Sequence, residues 1–189
     1  YWKNNIDRYS SILVQIFTWL LDEGLIKNVT KKIKSTLPQA SIIWASTAGE
    51  IYNWTYTENE ILVSFSVFEK TKIDTLLLDL NKNEEINDIV KEKINIDTKA
   101  MILFADTFTT KIDDLINYIH KKNPWLLIAW WKAGDFLQFK DSFVFDGEKI
   151  AHNWIVIAYL NWKDLRANNM YDFWWIEVGK FMKITKAKD

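Results

Sequence analysis

The sequence predicts an α/β fold: a mixed β-sheet with helices packed on it, built from two similar strand-helix-strand-hairpin halves. Short runs of apolar, β-forming residues alternate along the chain with stretches whose apolar residues recur at helical spacing. That alternation is typical of strand-helix-strand units with parallel strands. The same order of elements occurs twice, in residues 11–80 and 100–162, which indicates an internal repeat.

The first half begins with an apolar run, followed by an amphipathic stretch that ends at Pro38. Two later apolar runs are separated only by "EKTK", and this short spacing predicts a hairpin. The predicted elements are a strand at residues 11–17, a helix at 22–37, and strands at 40–47, 61–68 and 73–80.

The second half repeats this order after a helix that connects the halves. We expect Asn83 to cap the connecting helix, and Thr109 or Thr110 to cap the next one, because their side chains accept from free amides. Pro124 ends that helix as Pro38 ends the first. The predicted elements are helices at residues 84–94 and 111–121 and strands at 101–105, 126–130, 142–145 and 154–160.

The halves also match around two glycine turns. The segment "IIWASTAGE" follows Pro38 and "LIAWWKAGD" follows Pro124, so Gly49 and Gly134 occupy equivalent places. We interpret the match as a duplication. The alternative is that two ordinary βαβ units of a common type happen to follow one another.

Composition and charge argue against several classes of partner. With 24 basic and 25 acidic residues, the chain has no general attraction for nucleic acid or anionic lipid. It contains no cysteine, so disulfides, thiolate metal sites and cysteine nucleophiles are excluded. No apolar run approaches the length of a membrane span, and the first residues resemble no signal peptide. We expect a cytoplasmic protein with no nucleic-acid or membrane partner.

The candidate binding site lies at the carboxyl ends of the predicted parallel strands, where ligands usually meet such sheets. Each glycine turn places a small residue, a flexible glycine and a carboxylate just past a strand. These groups suit a small zwitterionic ligand. The candidate residues are Thr18, Ser46, Thr47, Gly49, Glu50, Asp106, Thr107, Lys132, Gly134 and Asp135. Alternatively, the glycines only turn the chain and the acids cap nearby amides or the following helix.

Nothing in the sequence requires an enzyme, a metal or a cofactor. His120 and His152 are isolated and lack further ligands at metal-binding spacing. The chain contains no phosphate loop, dinucleotide fingerprint or zinc-protease motif. An acyl transferase or hydrolase using Ser46 or Thr47 is the alternative, although "ASTAGE" lacks the G-x-S-x-G elbow. A pure protein-interaction module is a third possibility, which a large exposed apolar patch would favour.

Taken in order, several segments make the chain similar to the FIST N-terminal domain, a prokaryotic intracellular sensory module. The resemblance implies a single domain over residues 1–189 that senses a small ligand, with amino acids as the proposed class. It also implies a FIST C-terminal domain, missing here, and an attached signalling output domain. The matching segments are "ILVQIFT", "IIWASTAGEIY", "AMILFAD", "LLIAWWKAGD", "FVFDGEKIAHNWIVIAYLNW" and "WWIEVGKFMKITKAKD".

The chain departs from the family pattern in one direction, with tryptophan where glycine is expected. It has 11 Trp and 5 Gly, whereas average usage gives about 13 Gly in a chain of this length. We hypothesise that many of these tryptophans do not represent the natural sequence, because bulky rings at glycine positions cost about 1–3 kcal/mol each. Family glycines correspond to Trp44, Trp130, Trp131, Trp154, Trp162 and Trp174, and turn chemistry favours glycine at Trp54 and Trp125.

Overall fold

The computed structural model describes residue 9 and residues 11–20, 22–80, 86–108, 111–135 and 141–169. In these ranges the helices are α1 (Glu23–Thr36), α2 (Ile86–Lys93) and α3 (Ile112–Lys122). The strands are β1 (Ser11–Thr18), β2 (Ala40–Ser46), β3 (Glu50–Tyr52), β4 (Thr55–Thr57), β5 (Ile61–Phe68), β6 (Lys72–Asp79), β7 (Thr98–Ala105), β8 (Leu127–Lys132), β9 (Val144–Phe145), β10 (Ile150–Ala151) and β11 (Trp154–Asn161).

The described strands form two large sheets and a small hairpin, and the predicted mixed α/β class is confirmed. The first sheet has the order β10-β9-β2-β1-β5, and the second has the order β6-β11-β7-β8. Both sheets are mixed, since β1 runs parallel to β2 and β7 parallel to β8 while the other pairings are antiparallel. Strands β3 and β4 pair only with each other among the described residues.

The two large sheets face each other, and helices cover their outer faces. Residues such as Leu13 of β1 and Phe104 of β7 meet in an apolar core between the sheets. A second core joins α1 to the outer face of the first sheet, where Ile26 is buried. A third core joins α2 and α3 to the second sheet through residues such as Val90 and Ile119. The order of layers is therefore helix, sheet, sheet, helices.

The two halves share a topology but exchange strands. In each half a strand-helix-strand unit makes a parallel pair, and an antiparallel strand lies beside the first strand of that pair. This added strand is β5 in the first half and β11 in the second. However, β6 of the first half joins the second sheet, and β9 of the second half joins the first. The halves are thus interlocked.

The hairpin predicted for residues 61–68 and 73–80 is wrong. Strand β5 pairs with β1, whereas β6 pairs with β11 in the other sheet. The "EKTK" connection therefore crosses from one sheet to the other. The hydroxyl of Ser11 donates to the buried carbonyl of Thr71, which holds this crossing against the start of β1. A short connection fixes how far apart two strand ends lie, but it does not fix that the strands pair.

Helices α1 and α3 begin and end within one residue of the predicted bounds, and α2 ends one residue before its predicted end, while its predicted start lies outside the described residues. Asp22 caps α1 by accepting from the Leu25 amide at 2.9 Å. At the start of α3 the cap residue is Lys111, whose side chain makes no capping hydrogen bond. The predicted caps Asn83, Thr109 and Thr110 lie outside the described residues.

The hairpin of β3 and β4 was not predicted, and its turn holds Trp54 in a left-handed backbone conformation that favours glycine. Asn53 has φ 48° and Trp54 has φ 65°. Two successive positive φ values define the turn type for which Asn-Gly is the preferred pair. Trp54 therefore stands where glycine fits best, and its side chain is 94% exposed.

The other described tryptophans at predicted glycine positions have ordinary backbone conformations. Trp125, expected at a turn glycine position, does not have a positive φ. Trp44 is fully buried in β2, with its ring 5.9 Å from that of Phe145, but its indole nitrogen has no hydrogen-bond partner. Trp131 packs 4.8 Å from the ring of Phe104. The backbone conformation therefore supports the hypothesis that tryptophan stands at a glycine position for Trp54. At the other positions the hypothesis remains a prediction. Trp174 lies outside the described residues.

Candidate functional site

The carboxyl ends of the four parallel strands are joined by backbone hydrogen bonds. The Thr47 amide donates to the Thr18 carbonyl at 2.9 Å, which links the ends of β2 and β1. The Ala133 amide donates to the Ala105 carbonyl at 2.7 Å, which links the ends of β8 and β7. Between the two sheets, the Gly134 amide donates to the carbonyl of Ser46 at 2.8 Å. The two predicted glycine turns therefore meet at one edge of the fold.

The two glycines are needed for different reasons. Gly49 has φ 134°, and a Cβ there would lie 2.3 Å from the Tyr56 ring. At Gly134 the constraint is close approach, because a Cβ would lie 2.9 Å from the backbone nitrogen of Ala48. Glycine at the first turn permits an unusual conformation, and glycine at the second permits contact between the halves.

Three of the predicted site residues hold the segment 141–143, which leads into β9. The Ser46 hydroxyl accepts from the Phe143 amide at 3.0 Å. The carboxylate of Asp135 accepts from the Asp141 amide at 3.1 Å, and Asp106 accepts from the Ser142 hydroxyl at 3.0 Å. All three side chains are at least nine-tenths buried. Among the described residues, these three side chains therefore hold the segment 141–143 in place.

Asp106 and Thr107 continue this network. Asp106 Oδ1 also accepts from the Phe108 amide at 2.9 Å, while its Oδ2 is buried and has no partner. The Thr107 amide donates to the Ser142 hydroxyl at 3.1 Å, and the Thr107 hydroxyl donates to the carbonyl of Ala133. These hydrogen bonds connect the end of β7 to the segment before β9 and to the turn after β8.

The hydrogen bonds around Ser46 bear on the alternative in which the protein is an acyl transferase or hydrolase using Ser46 or Thr47. The Ser46 hydroxyl lies 3.0 and 3.5 Å from the backbone nitrogen and oxygen of Phe143, and neither atom is a general base. His152 instead lies 2.9 Å from Asp141 Oδ1 and 2.9 Å from the Ser142 carbonyl. Ser46 is therefore a structural bridge between β2 and the segment before β9. Of the two proposed nucleophiles, only Thr47 bonds to a carboxylate in the described structure.

Thr47 and Glu50 form a pair at the end of β2. The Thr47 hydroxyl donates to Oε1 of Glu50. Glu50 is 3% exposed, and its other oxygen, Oε2, is buried without a hydrogen-bond partner. Thr57 lies opposite Glu50 in the hairpin, and its hydroxyl is also buried and unpartnered. Buried polar atoms usually have partners, so two such atoms on neighbouring residues are unusual.

These two residues line a cleft of about 300 Å³ between the hairpin and the start of β5. Thr18 supports its wall, because its hydroxyl donates to the Glu60 carbonyl at 3.1 Å and accepts from the Leu20 amide at 3.0 Å. The lining residues are Glu50, Tyr52, Thr57, Glu60, Ile61, Leu62 and Val63.

The sequence prediction included only Glu50 of the residues that line this cleft. It missed Tyr52, Thr57 and Glu60 because the hairpin that places them was not recognised. The polar and apolar alternation of "EIYNWTYT" around Asn53 is the signal that identifies such a hairpin. Lys132, also predicted for the site, is exposed at the end of β8 and does not line the cleft.

In the described residues, no group of three or more His, Asp or Glu side chains lies close enough together to hold a metal ion. No helix in this part of the chain has the length and apolar character needed to cross a membrane.

Comparison with known proteins identifies the family. Among curated proteins, none matches the chain. The family model of the FIST N domain matches residues 12–189, which is nearly the whole sequence. That match covers both halves, the two glycine turns and the hairpin between them. The chain therefore belongs to the FIST N domain family, whose members are generally sensory domains of signalling proteins.

Proposed function

We propose that this domain senses a small polar ligand, with amino acids as the class implied by the family resemblance, and signals to an attached output domain. The observation that carries the proposal is Glu50, a buried carboxylate with one unpartnered oxygen at the wall of a cleft. A buried charged group without full hydrogen bonding is costly, so such a group is a natural point for a ligand to bind.

The size and position of the cleft suit a small ligand. Its volume of about 300 Å³ lies at the lower end of the range for small-molecule sites, about 300–1,000 Å³. Glu50 and Thr47 supply polar atoms, and Thr18 holds the neighbouring backbone. In this proposal several side chains hold the backbone next to the site in place, namely those of Ser46, Asp106, Thr107 and Asp135. Gly49 and Gly134 permit the two turns beside it.

The contacts between the two glycine turns connect the cleft to the other half of the domain. Thr47 bonds to Glu50, and the preceding residue, Ser46, accepts from the Gly134 amide of the other half. We propose that ligand binding at Glu50 favours one arrangement of these two turns, and that the bias passes to a signalling partner. The partner is a FIST C-terminal domain together with an output domain, in the cytoplasm of a prokaryotic cell.

Thermal unfolding in the presence of free amino acids tests the proposal. A ligand present at 100 times its dissociation constant stabilises the folded state by about 2.7 kcal/mol. We expect at least one small amine-bearing ligand to raise the unfolding temperature of the wild-type chain, and this shift to be lost in Glu50→Gln. Glu58→Gln is the matched control, because Glu58 is an exposed acid just after β4 that does not line the cleft. No shift from any amino acid or simple amine would contradict a sensory role for this cleft.

A further inference from the structure

We propose that the cleft between the hairpin and β5 binds a protonated primary amine, with its ammonium group on Glu50 and its apolar stem along β5. The inference rests on the sensory function proposed above and narrows its ligand from small polar molecules to cationic amines. Three properties of the cleft support it: its unpartnered acceptors, the signs of its charges and its apolar wall.

The unpartnered acceptors form a pair. Glu50 and Thr57 are directly opposite in the antiparallel hairpin, so their side chains leave the same face of it. Oε2 of Glu50 and the hydroxyl oxygen of Thr57 are both buried without a hydrogen-bond partner. An ammonium group carries three donors and no acceptor. A single ammonium group can therefore donate to both oxygens at once, and it also brings a charge opposite to that of a carboxylate.

The charges of the cleft favour a cation over a zwitterion. Glu50 and Glu60 both line it, and none of the described lining residues is lysine or arginine. An amino acid that placed its ammonium group on Glu50 would bring its own carboxylate into this acidic site without a basic partner. Lys132, the one basic residue among the predicted site residues, does not line the cleft. Removing the carboxylate from the ligand should therefore improve binding.

The remaining wall is apolar. Ile61, Leu62 and Val63 at the start of β5 are each partly buried, and Tyr52 lines the cleft from the hairpin side. An alkyl stem covers such a surface, whereas a hydrated polar stem does not. A volume of about 300 Å³ limits the stem to a short chain.

Calorimetric titration with matched probes tests the inference. Butylamine is the cationic probe, and norvaline is the same molecule with an added carboxylate. Butanol and butyrate supply the neutral and anionic controls. At neutral pH an alkylamine is protonated, as the lysine side chain is. We expect butylamine to bind at least about tenfold more tightly than each of the other three probes, a ratio equivalent to about 1.4 kcal/mol.

Variants locate the binding. Glu50→Gln should weaken butylamine binding about tenfold or more, while the control Glu58→Gln should leave it within about twofold, since opposite charges interact strongly only at close range. If Glu50→Gln does not fold, Glu60→Gln gives a second test, because Glu60 is exposed and its change should weaken butylamine binding without affecting the fold. Circular dichroism of each variant checks folding.

The possible outcomes separate this inference from the proposed function. Norvaline binding as tightly as butylamine, with both lost in Glu50→Gln, would overturn the preference for an amine without a carboxylate but leave amino-acid sensing at this cleft intact. Butylamine binding that persists unchanged in both cleft variants would overturn the amine inference. Silence from butylamine, norvaline and all free amino acids would overturn the inference and the proposed function together.

Discussion

The Gly134 amide donates a 2.8 Å hydrogen bond to the Ser46 carbonyl, and this bond joins the strand ends of the two halves. It connects the end of β2 in the first sheet with the turn after β8 in the second. The contact is possible because Gly134 has no side chain: a Cβ would lie 2.9 Å from the Ala48 nitrogen and 3.1 Å from the Thr47 carbonyl carbon. The turns that carry the candidate site are therefore packed backbone to backbone.

Gly134→Ala should destabilise the protein by about 1–3 kcal/mol, the usual cost of overpacking. The added methyl meets backbone atoms, which cannot move away as the end of a flexible side chain can. Urea unfolding measures the change. Gly24→Ala is the control, because its methyl meets only the Asp22 side chain and the change favours helix α1, so stability should alter by less than about 1 kcal/mol. Equal effects of the two substitutions would show that the turns are not in close contact.

Trp54→Gly should stabilise the protein by about 1 kcal/mol, because a residue with a side chain pays about 1–2 kcal/mol for a left-handed conformation. Trp54 is 94% exposed, so its removal loses little packing. Trp125→Gly is the matched control: Trp125 is also exposed but does not have a positive φ. At position 125, glycine should lower stability by about 0.5–1 kcal/mol, because it gives the unfolded chain more conformational freedom.

Urea unfolding of both tryptophan variants distinguishes a conformational effect from the removal of exposed aromatic surface. Loss of stability in Trp54→Gly would refute the assignment of a glycine position at this turn. Stabilisation by both substitutions would indicate that exposed indole, and not the backbone conformation, is the cause.

Tyr159→Phe should change how stability depends on alkaline pH. Burial raises the pKa of the Tyr159 hydroxyl, which is fully enclosed and has no hydrogen-bond partner. Folding therefore favours the protonated phenol, so ionisation of Tyr159 costs no stability below the ordinary tyrosine pKa of about 10, and the protein loses stability as pH rises above it. At neutral pH the variant should be as stable as the wild type or more so, since an unsatisfied hydroxyl is removed.

The measurement is urea unfolding of both proteins on each side of the tyrosine pKa. We expect the wild type to lose more stability than Tyr159→Phe between neutral pH and pH values above about 10. Parallel losses in the two proteins would mean that Tyr159 ionises in the folded state as easily as in the unfolded one.

Much of the fold could be predicted because its helices and parallel strands carry strong local patterns. Helix α1 was placed within one residue at each end, because its apolar residues recur at helical spacing and Pro38 follows it. The pairing of β5 and β6 could not be predicted from "EKTK", because loop length does not reveal which sheet each strand joins. The β3–β4 hairpin was missed because Trp54 stands at the turn position where such hairpins usually have glycine.

The proximity of the strand ends could be predicted, but the cleft beside them could not. The strand ends and both glycine turns are close together, as the topology rule for parallel strands suggested. The role of Ser46 in binding Phe143 could not be foreseen, because residues so distant in sequence carry no local signal of contact. The cleft itself depends on the unrecognised hairpin, so the predicted residues include Lys132, which does not line the cleft, and omit Thr57 and Glu60, which do.

The most direct test of the central claim is a titration of the ¹⁵N-labelled chain with butylamine, and in parallel with norvaline, followed by amide chemical shifts. If the cleft is the sensory site and the turns carry its signal, the amides of Glu50, Thr57 and Gly134 should shift together with one dissociation constant. The same shifts should be absent in Glu50→Gln and present in Glu58→Gln. Shifts confined to residues outside the hairpin and the two glycine turns, or no shifts with either compound, would contradict the account.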